Sequence, residues 1–166
     1  MLHPRLFRKG GHQNEKIVLL SHCVLNSMCE EPPAADTYRK CIVEAAMEKG
    51  VSMIQLPCPE LCYQSLKRES IYPGTEMAGP YAEYCRKLLQ PLTKNLCQYR
   101  ENGVELAAVI GINTSPSCSV EDPESIMMKI LLDTLKEIGY SDFRCIDMPV
   151  EPDDADFCAA MEELFD

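Results

Sequence analysis

The sequence predicts a single α/β domain of the Rossmann-like or flavodoxin-like kind, three layers deep, with a four-stranded parallel sheet between helices. Three observations predict it. Short apolar runs alternate with amphipathic stretches in the order β-α-β-α-β-α-β-α, without repeats or low-complexity linkers. Three of the helical stretches stop on glycine, at Gly50, Gly103 and Gly139. A chain of 166 residues can bury roughly 70% of its unfolded surface, enough for one self-sufficient core.

Each element follows from its local pattern. Residues 16–22, KIVLLSH, are a continuous apolar run, as expected of a strand covered on both faces. After a polar loop rich in Pro and Glu, residues 36–50 repeat apolar side chains at helical spacing and end on Gly50. Residues 51–57 read as a second strand stopped by Pro57. The segment 61–80 lacks strong periodicity and is expected to form a lid over the strand ends, since so long a loop is usually functional or disordered. Residues 81–103 read as a long helix, broken or kinked before Pro91.

Residues 104–112 form a third buried strand, and 122–139 a helix with Asp122 at its N-cap and Pro123 in its first turn. A fourth strand at 143–150 and a helix at 152–165 complete the domain, which spans 16–166. Residues 1–15 are expected to be a poorly ordered extension. Strict alternation implies right-handed crossovers and a strand order 2-1-3-4. Ligands of such sheets bind beyond the carboxyl ends of the strands, where the order reverses between strands one and three.

Composition narrows the partners. A formal charge of −10 argues against direct nucleic-acid binding, which needs clustered Lys and Arg. No run is long enough for a membrane span, and the N-terminal stretch lacks the apolar core of a signal peptide, so a cytoplasmic location is expected. Ten cysteines are many for a reducing compartment, and the core does not require disulfides. Some of these thiols are therefore expected to be metal ligands or reactive groups.

Three cysteines follow consecutive strand ends: Cys23 in LLSHC, Cys58 in IQLPC and Cys118 in GINTSPSC. In the order 2-1-3 the strands are neighbours about 4.8 Å apart, so the three thiols should converge on one crevice. The alternative for any one of them is a buried small hydrophobe. Three thiolates suit zinc or an iron–sulfur cluster, not magnesium or calcium. No CxxC pair accompanies them, and His22 could complete a zinc site only by turning away from its place beside Cys23. A cubane held by three cysteines leaves one iron open to substrate. Each loop also leads toward a helix, whose N-terminus favours negative charge, and Pro57, Pro59 and Pro116 stiffen the backbone beside two of the ligands.

Around these thiols, Glu60 is the carboxylate nearest in sequence and the candidate for acid/base work; otherwise it caps the segment that follows. Ser115 and Ser117 could donate to substrate or to cluster sulfur, or bond their own backbone. Asn26 and Asn113 either shape a pocket or make turns. Arg68 is a candidate contact for a substrate carbonyl or phosphate; the other reading is a solvated surface side chain. Cys41, Cys85, Cys97, Cys145 and Cys158 are expected to pack within helices and a strand. Cys29 and Cys62 lie in loops near the proposed site, as spare ligands, persulfide carriers or bystanders.

The motifs SHCVLN, QLPCPEL followed by LKR, and GINTSPSCSV together resemble those of the thiouracil desulfurase (TudS) family, in particular its TudS-related desulfidase branch. The likeness runs from about residue 16 to 150. It implies a 4Fe-4S cluster on Cys23, Cys58 and Cys118, whose open iron takes the sulfur of a small thiolated compound such as 2-thiouracil. The implied reaction is hydrolytic desulfuration without net redox change, and Ser115 resembles the family's functional serine; the residues themselves add Glu60 as a catalytic candidate and Arg68, Ser117 and Asn26 as candidate substrate contacts. The cluster is expected to be lost in air. One departure concerns the third loop, where the family usually has Gly after the last ligand and this chain has Ser119. From a different class, a non-catalytic Fe-S or zinc-binding module acting as redox sensor or sulfur carrier also fits the thiols.

Overall fold

Four strands, Lys16–Leu20 (β1), Ser52–Gln55 (β2), Glu105–Ile112 (β3) and Arg144–Met148 (β4), form one all-parallel sheet in the order β2-β1-β3-β4. This is the α/β arrangement that the alternating pattern predicts. The computed structural model describes residues 16–29, 35–151 and 155–165; the expected extension at 1–15 lies outside the described residues. Among the described residues six helices accompany the sheet: His22–Leu25 (α1), Ala35–Glu48 (α2), Pro59–Tyr63 (α3), Ala78–Glu101 (α4), Ile126–Glu137 (α5) and Ala155–Leu164 (α6). A single 3-10 turn, Ser27–Cys29, follows α1.

Side-chain alternation along the central strands divides the core into two layers. Val18 and Leu20 of β1 and Ala108 and Ile110 of β3 face Ile42 and Ala46 of α2 and Phe157 and Met161 of α6. Ile17, Leu19 and Val109 face the opposite way, against Tyr81, Leu89 and Leu96 of α4 and Met128, Leu131 and Leu135 of α5. With both faces covered, β1 and β3 tolerate no polar alternation, which is why they read as continuous apolar runs. Among the described residues, no helix is long and apolar enough to cross a membrane.

Four local features differ from the sequence reading. The first strand ends at Leu20, because His22 already begins the one-turn α1. The long helix is not broken at Pro91; α4 runs through it. Pro91 is exposed, so its missing N–H leaves the solvent side of the helix short of one bond, while Leu89 and Leu96 hold the buried side against α5. Asp122 does not cap α5. Its Oδ1 accepts the Glu124 N–H at 2.9 Å in a local turn, and the helix starts after Ser125. The segment 61–80 carries a short helix of its own, since α3 reaches Tyr63.

Two cysteine expectations also change. Cys41 of α2 and Cys158 of α6, expected only to pack, are paired as a disulfide with their Cα atoms 5.6 Å apart. Cys145 is exposed rather than packed, on the edge strand β4, whose first two residues are exposed. The helix-ending glycines are as expected, with Gly103 at φ 80° and Gly139 at φ 93°, a region that side chains disfavour.

Candidate functional site

The sheet registers Leu20 with Gln55 on one side and Ile110 on the other, so the loops after β1, β2 and β3 leave from one edge. The ladder is extended there by Leu56 N–H to Leu20 O (2.7 Å) and Ser21 N–H to Ile110 O (2.9 Å). Beyond that edge lies a cavity of about 340 Å³. Cys23, Cys58 and Cys118 all line it. The convergence expected from strand order is therefore present.

Each thiol is positioned differently. Cys23 sits in α1, whose backbone is tied down by Arg39 Nε donating to Cys23 O (2.9 Å) and by Gln55 Nε2 donating to His22 O (2.9 Å). Cys58 is the N-cap of α3, with Pro59 in the first turn, and its Sγ accepts the Leu61 N–H at 3.4 Å. Cys118 lies at the meeting of the two core layers and packs against both. The helix start expected at each thiol is thus found at Cys58, the N-cap of α3, and at Cys23, in the first turn of α1, whereas α5 begins only at Ile126, well past Cys118.

The loop that carries Cys118 is folded by its own side chains. Ser115 Oγ accepts the N–H groups of Ser117 (3.4 Å) and Cys118 (3.1 Å), and Ile112 N–H donates to Cys118 O (3.1 Å). Thr114, a β-branched residue in the cavity wall, is held at φ 61°, a strained conformation of the kind that collects at functional sites. Ser119 and Asp147 fasten the far end. Asp147, on β4 and 4% exposed, accepts Ser119 Oγ–H, Val120 N–H (2.8 Å) and Glu121 N–H (3.3 Å). Gly111 is required beneath this clasp, for a Cβ there would lie 2.1 Å from Asp147 Oδ1 and 2.5 Å from Cys118 O.

Glu60 lines the cavity and is 9% exposed. Its Oε2 pairs with Arg68 Nε at 3.2 Å and its Oε1 accepts Ser117 Oγ–H at 3.1 Å. Ser117 Oγ is in turn 3.0 Å from Tyr81 Oη. Arg68 also donates through Nη2 to the Cys29 carbonyl, which joins the loop after β1 to the loop after β2. Arg68 is thus not a solvated surface group, and Glu60 is held from two sides.

The electrostatics separate the thiols. A hydrogen bond from Cys23 lowers Cys58 to about 6 against the pull of burial, with Leu61 N–H, Arg68 and His22 acting in the same sense. Burial, reinforced by the nearby Cys58 and Glu60, pushes Cys118 well above the ordinary thiol range. Burial opposes the charge on Arg68, but Cys58 and Glu60 outweigh it and raise the guanidinium further. The site therefore holds one ready thiolate beside a permanent cation.

Not every expected residue reaches the cavity. Ser115, Arg68 and Asn113 line it. Ser117 lies behind Glu60, 1% exposed. Asn26 makes a turn, its Oδ1 accepting Met28 N–H (3.0 Å) and its Nδ2 meeting His22 Nε2 (3.0 Å). Cys62 is exposed and outside the lining, whereas Cys29 is 4% exposed and inside it. Ser70, Tyr72 and Val150 also line the cavity and had no signal in the sequence beyond their neighbourhood.

Among the described residues, no three His, Cys, Asp or Glu side chains close on one point tightly enough to hold a single metal ion. A larger cavity of about 750 Å³ opens at the opposite end of the sheet, beside Lys16, Glu105 and Arg144. It mixes both signs of charge and has no thiol in its wall.

No family model matches the chain, and no solved structure matches it. The chain is similar to an uncharacterized protein of Methanocaldococcus jannaschii, 28% identical over 155 residues, which are 92% of this chain and 98% of that protein. The likeness thus embraces the sheet and all three thiol-bearing loops.

Proposed function

We propose that this protein is an iron–sulfur-dependent desulfurase that removes sulfur from a small thiolated compound of the 2-thiouracil type by hydrolysis. The observation that carries the reading is the meeting of Cys23, Cys58 and Cys118 with Glu60 on one cavity at the strand ends. The residues fit a 4Fe-4S group. Thiols are its natural ligands, and here they come from three separate loops around a shared cavity rather than from around a single point. When bound, the cluster supplies an electrophilic iron that accepts the leaving sulfur of the substrate.

The remaining work falls to side chains of the chain. Water attacks the thiocarbonyl carbon only if a base takes its proton, and among the described residues Glu60 is the carboxyl group in the cavity wall able to do so. Arg68 and Ser117 each hold one of its oxygens, which fixes the plane of the group; every carboxylate oxygen keeps a second lone pair for the water. Ser115 Oγ already accepts two backbone N–H groups, so its own hydroxyl hydrogen is what it offers to substrate. The products are the carbonyl compound and hydrogen sulfide, with no electron left over. The acidic chain and the absence of a membrane-crossing helix among the described residues suit a small dissolved substrate.

The test is anaerobic reconstitution with iron and sulfide, followed by iron and acid-labile sulfide analysis and incubation with a panel of thiouracils and thioamides. Near four irons per chain, lost when Cys23, Cys58 or Cys118 becomes Ser, and sulfide released from a panel member are the expected results. Protein that takes up no iron sinks the reading; iron without sulfide release favours the non-catalytic sensor or carrier.

A further inference from the structure

Cys29 shares with Cys58 the distinction of being a buried thiol outside both core layers. It is 4% exposed, yet it belongs to neither core layer, unlike Cys85, which packs among the apolar side chains under α4. Cys29 lies in the wall of the thiol cavity together with Cys23, Cys58 and Cys118. A side-chain hydrogen bond links it to Cys58, the same thiol that bonds Cys23.

Its backbone is held there. The 3-10 turn Ser27–Cys29 folds the chain back after α1, and Asn26 Oδ1 secures the turn through Met28 N–H. Arg68 Nη2 then clamps the Cys29 carbonyl from the loop after β2. A thiol needed only for packing has no use for a charged clamp on its main chain, since apolar burial is non-directional.

Resting on the cluster reading above, we propose that Cys29 is a fourth, exchangeable ligand: its thiolate occupies the remaining coordination position of the cluster until a thiolated substrate displaces it. The exchange moves no electrons. One iron–sulfur bond, to Cys29, breaks as another, to the substrate sulfur, forms, and the released Cys29 thiolate takes one proton from water. The site is thereby closed at rest and opened by a sulfur donor alone, which excludes oxygen ligands such as water and carboxylates that bind iron less softly.

The test uses the full chain, reconstituted anaerobically, as wild type, Cys29→Ala and Cys29→Ser. On mild ferricyanide oxidation, the variants should lose one iron to give the 3Fe-4S electron-paramagnetic-resonance signal with at least tenfold higher yield than wild type. On wild type itself, iodoacetamide footprinting should modify Cys29 only after 2-thiouracil is added. Equal 3Fe-4S yields, or Cys29 labelled equally with and without 2-thiouracil, overturn the proposal while leaving the three-ligand cluster standing. No iron in any of the three proteins overturns both. If the Ala and Ser variants fail to fold, the wild-type footprint decides alone.

Discussion

Ser119 gives its hydroxyl hydrogen to Asp147, and so ties the end of the third ligand loop to the edge strand β4. Ser119 is thus a structural fastener, its Oγ also accepting Asp122 N–H at 3.0 Å.

Removing the two halves of this contact should have unequal costs. Asp147→Ala leaves Ser119 Oγ–H and the Val120 and Glu121 N–H groups unpaired in a site where Asp147 is 4% exposed. Ser119 is the buried donor of the three, at about 1–3 kcal/mol when left without a partner, and the partly buried N–H groups add less, so the variant should lose about 2–3 kcal/mol. Ser119→Gly removes one hydroxyl and should cost about 1 kcal/mol. Urea denaturation of the metal-free proteins measures both, and equal losses would show that Asp147 does not act as the hub of the clasp.

Glu60→Gln keeps the shape and the Ser117 contact but cannot take a proton. Sulfide release should fall by about 10²–10⁴-fold, the usual contribution of a positioned base, with iron content unchanged. Activity assays with iron analysis on the same preparation check it. Wild-type turnover in the variant would leave Glu60 only the role of anchoring Arg68.

Cys58 should be the thiol that ionises first. With a value near 6, lowered chiefly by the Cys23 hydrogen bond, its alkylation rate in metal-free protein should rise through a midpoint near pH 6, while Cys118 stays protonated beyond neutrality. Cys23→Ala should move the midpoint upward, toward 9.0. Because the folded value lies below the unfolded one, this ionisation stabilises the fold above about pH 9 and the contribution fades as pH falls toward 6. Mass-spectrometric rates from pH 5 to 9 read the midpoint despite the low exposure of Cys58.

The Cys41–Cys158 disulfide closes 117 residues of chain and joins α2 to α6. Its reduction should lower stability by about 2–4 kcal/mol, as should Cys158→Ala, in which a reductant then has no further effect. Denaturation of metal-free protein with and without dithiothreitol tests the pair. A dithiothreitol-insensitive wild type would mean that the two thiols are not bonded in solution.

What the sequence by itself determined is the sheet and its thiol-bearing edge. Continuous apolar runs at 16–22 and 104–112 announce strands covered on both faces, alternation makes the sheet parallel, and parallel strands bring Cys23, Cys58 and Cys118 to one end. Those conclusions rest on periodicity and chain connectivity, which are local and survive without coordinates. The tertiary structure alone decided which neighbours face the cavity. Cys29 and Cys62 look alike in sequence, but the turn after α1 folds one thiol inward and the single turn of α3 leaves the other in solvent. Ser115 and Ser117 flank the same proline, yet one lines the cavity and the other backs Glu60. In irregular loops no fixed repeat assigns a side chain to a face; contacts between segments far apart in sequence, such as Arg68 on Cys29 and Asp147 on Ser119, set the direction instead.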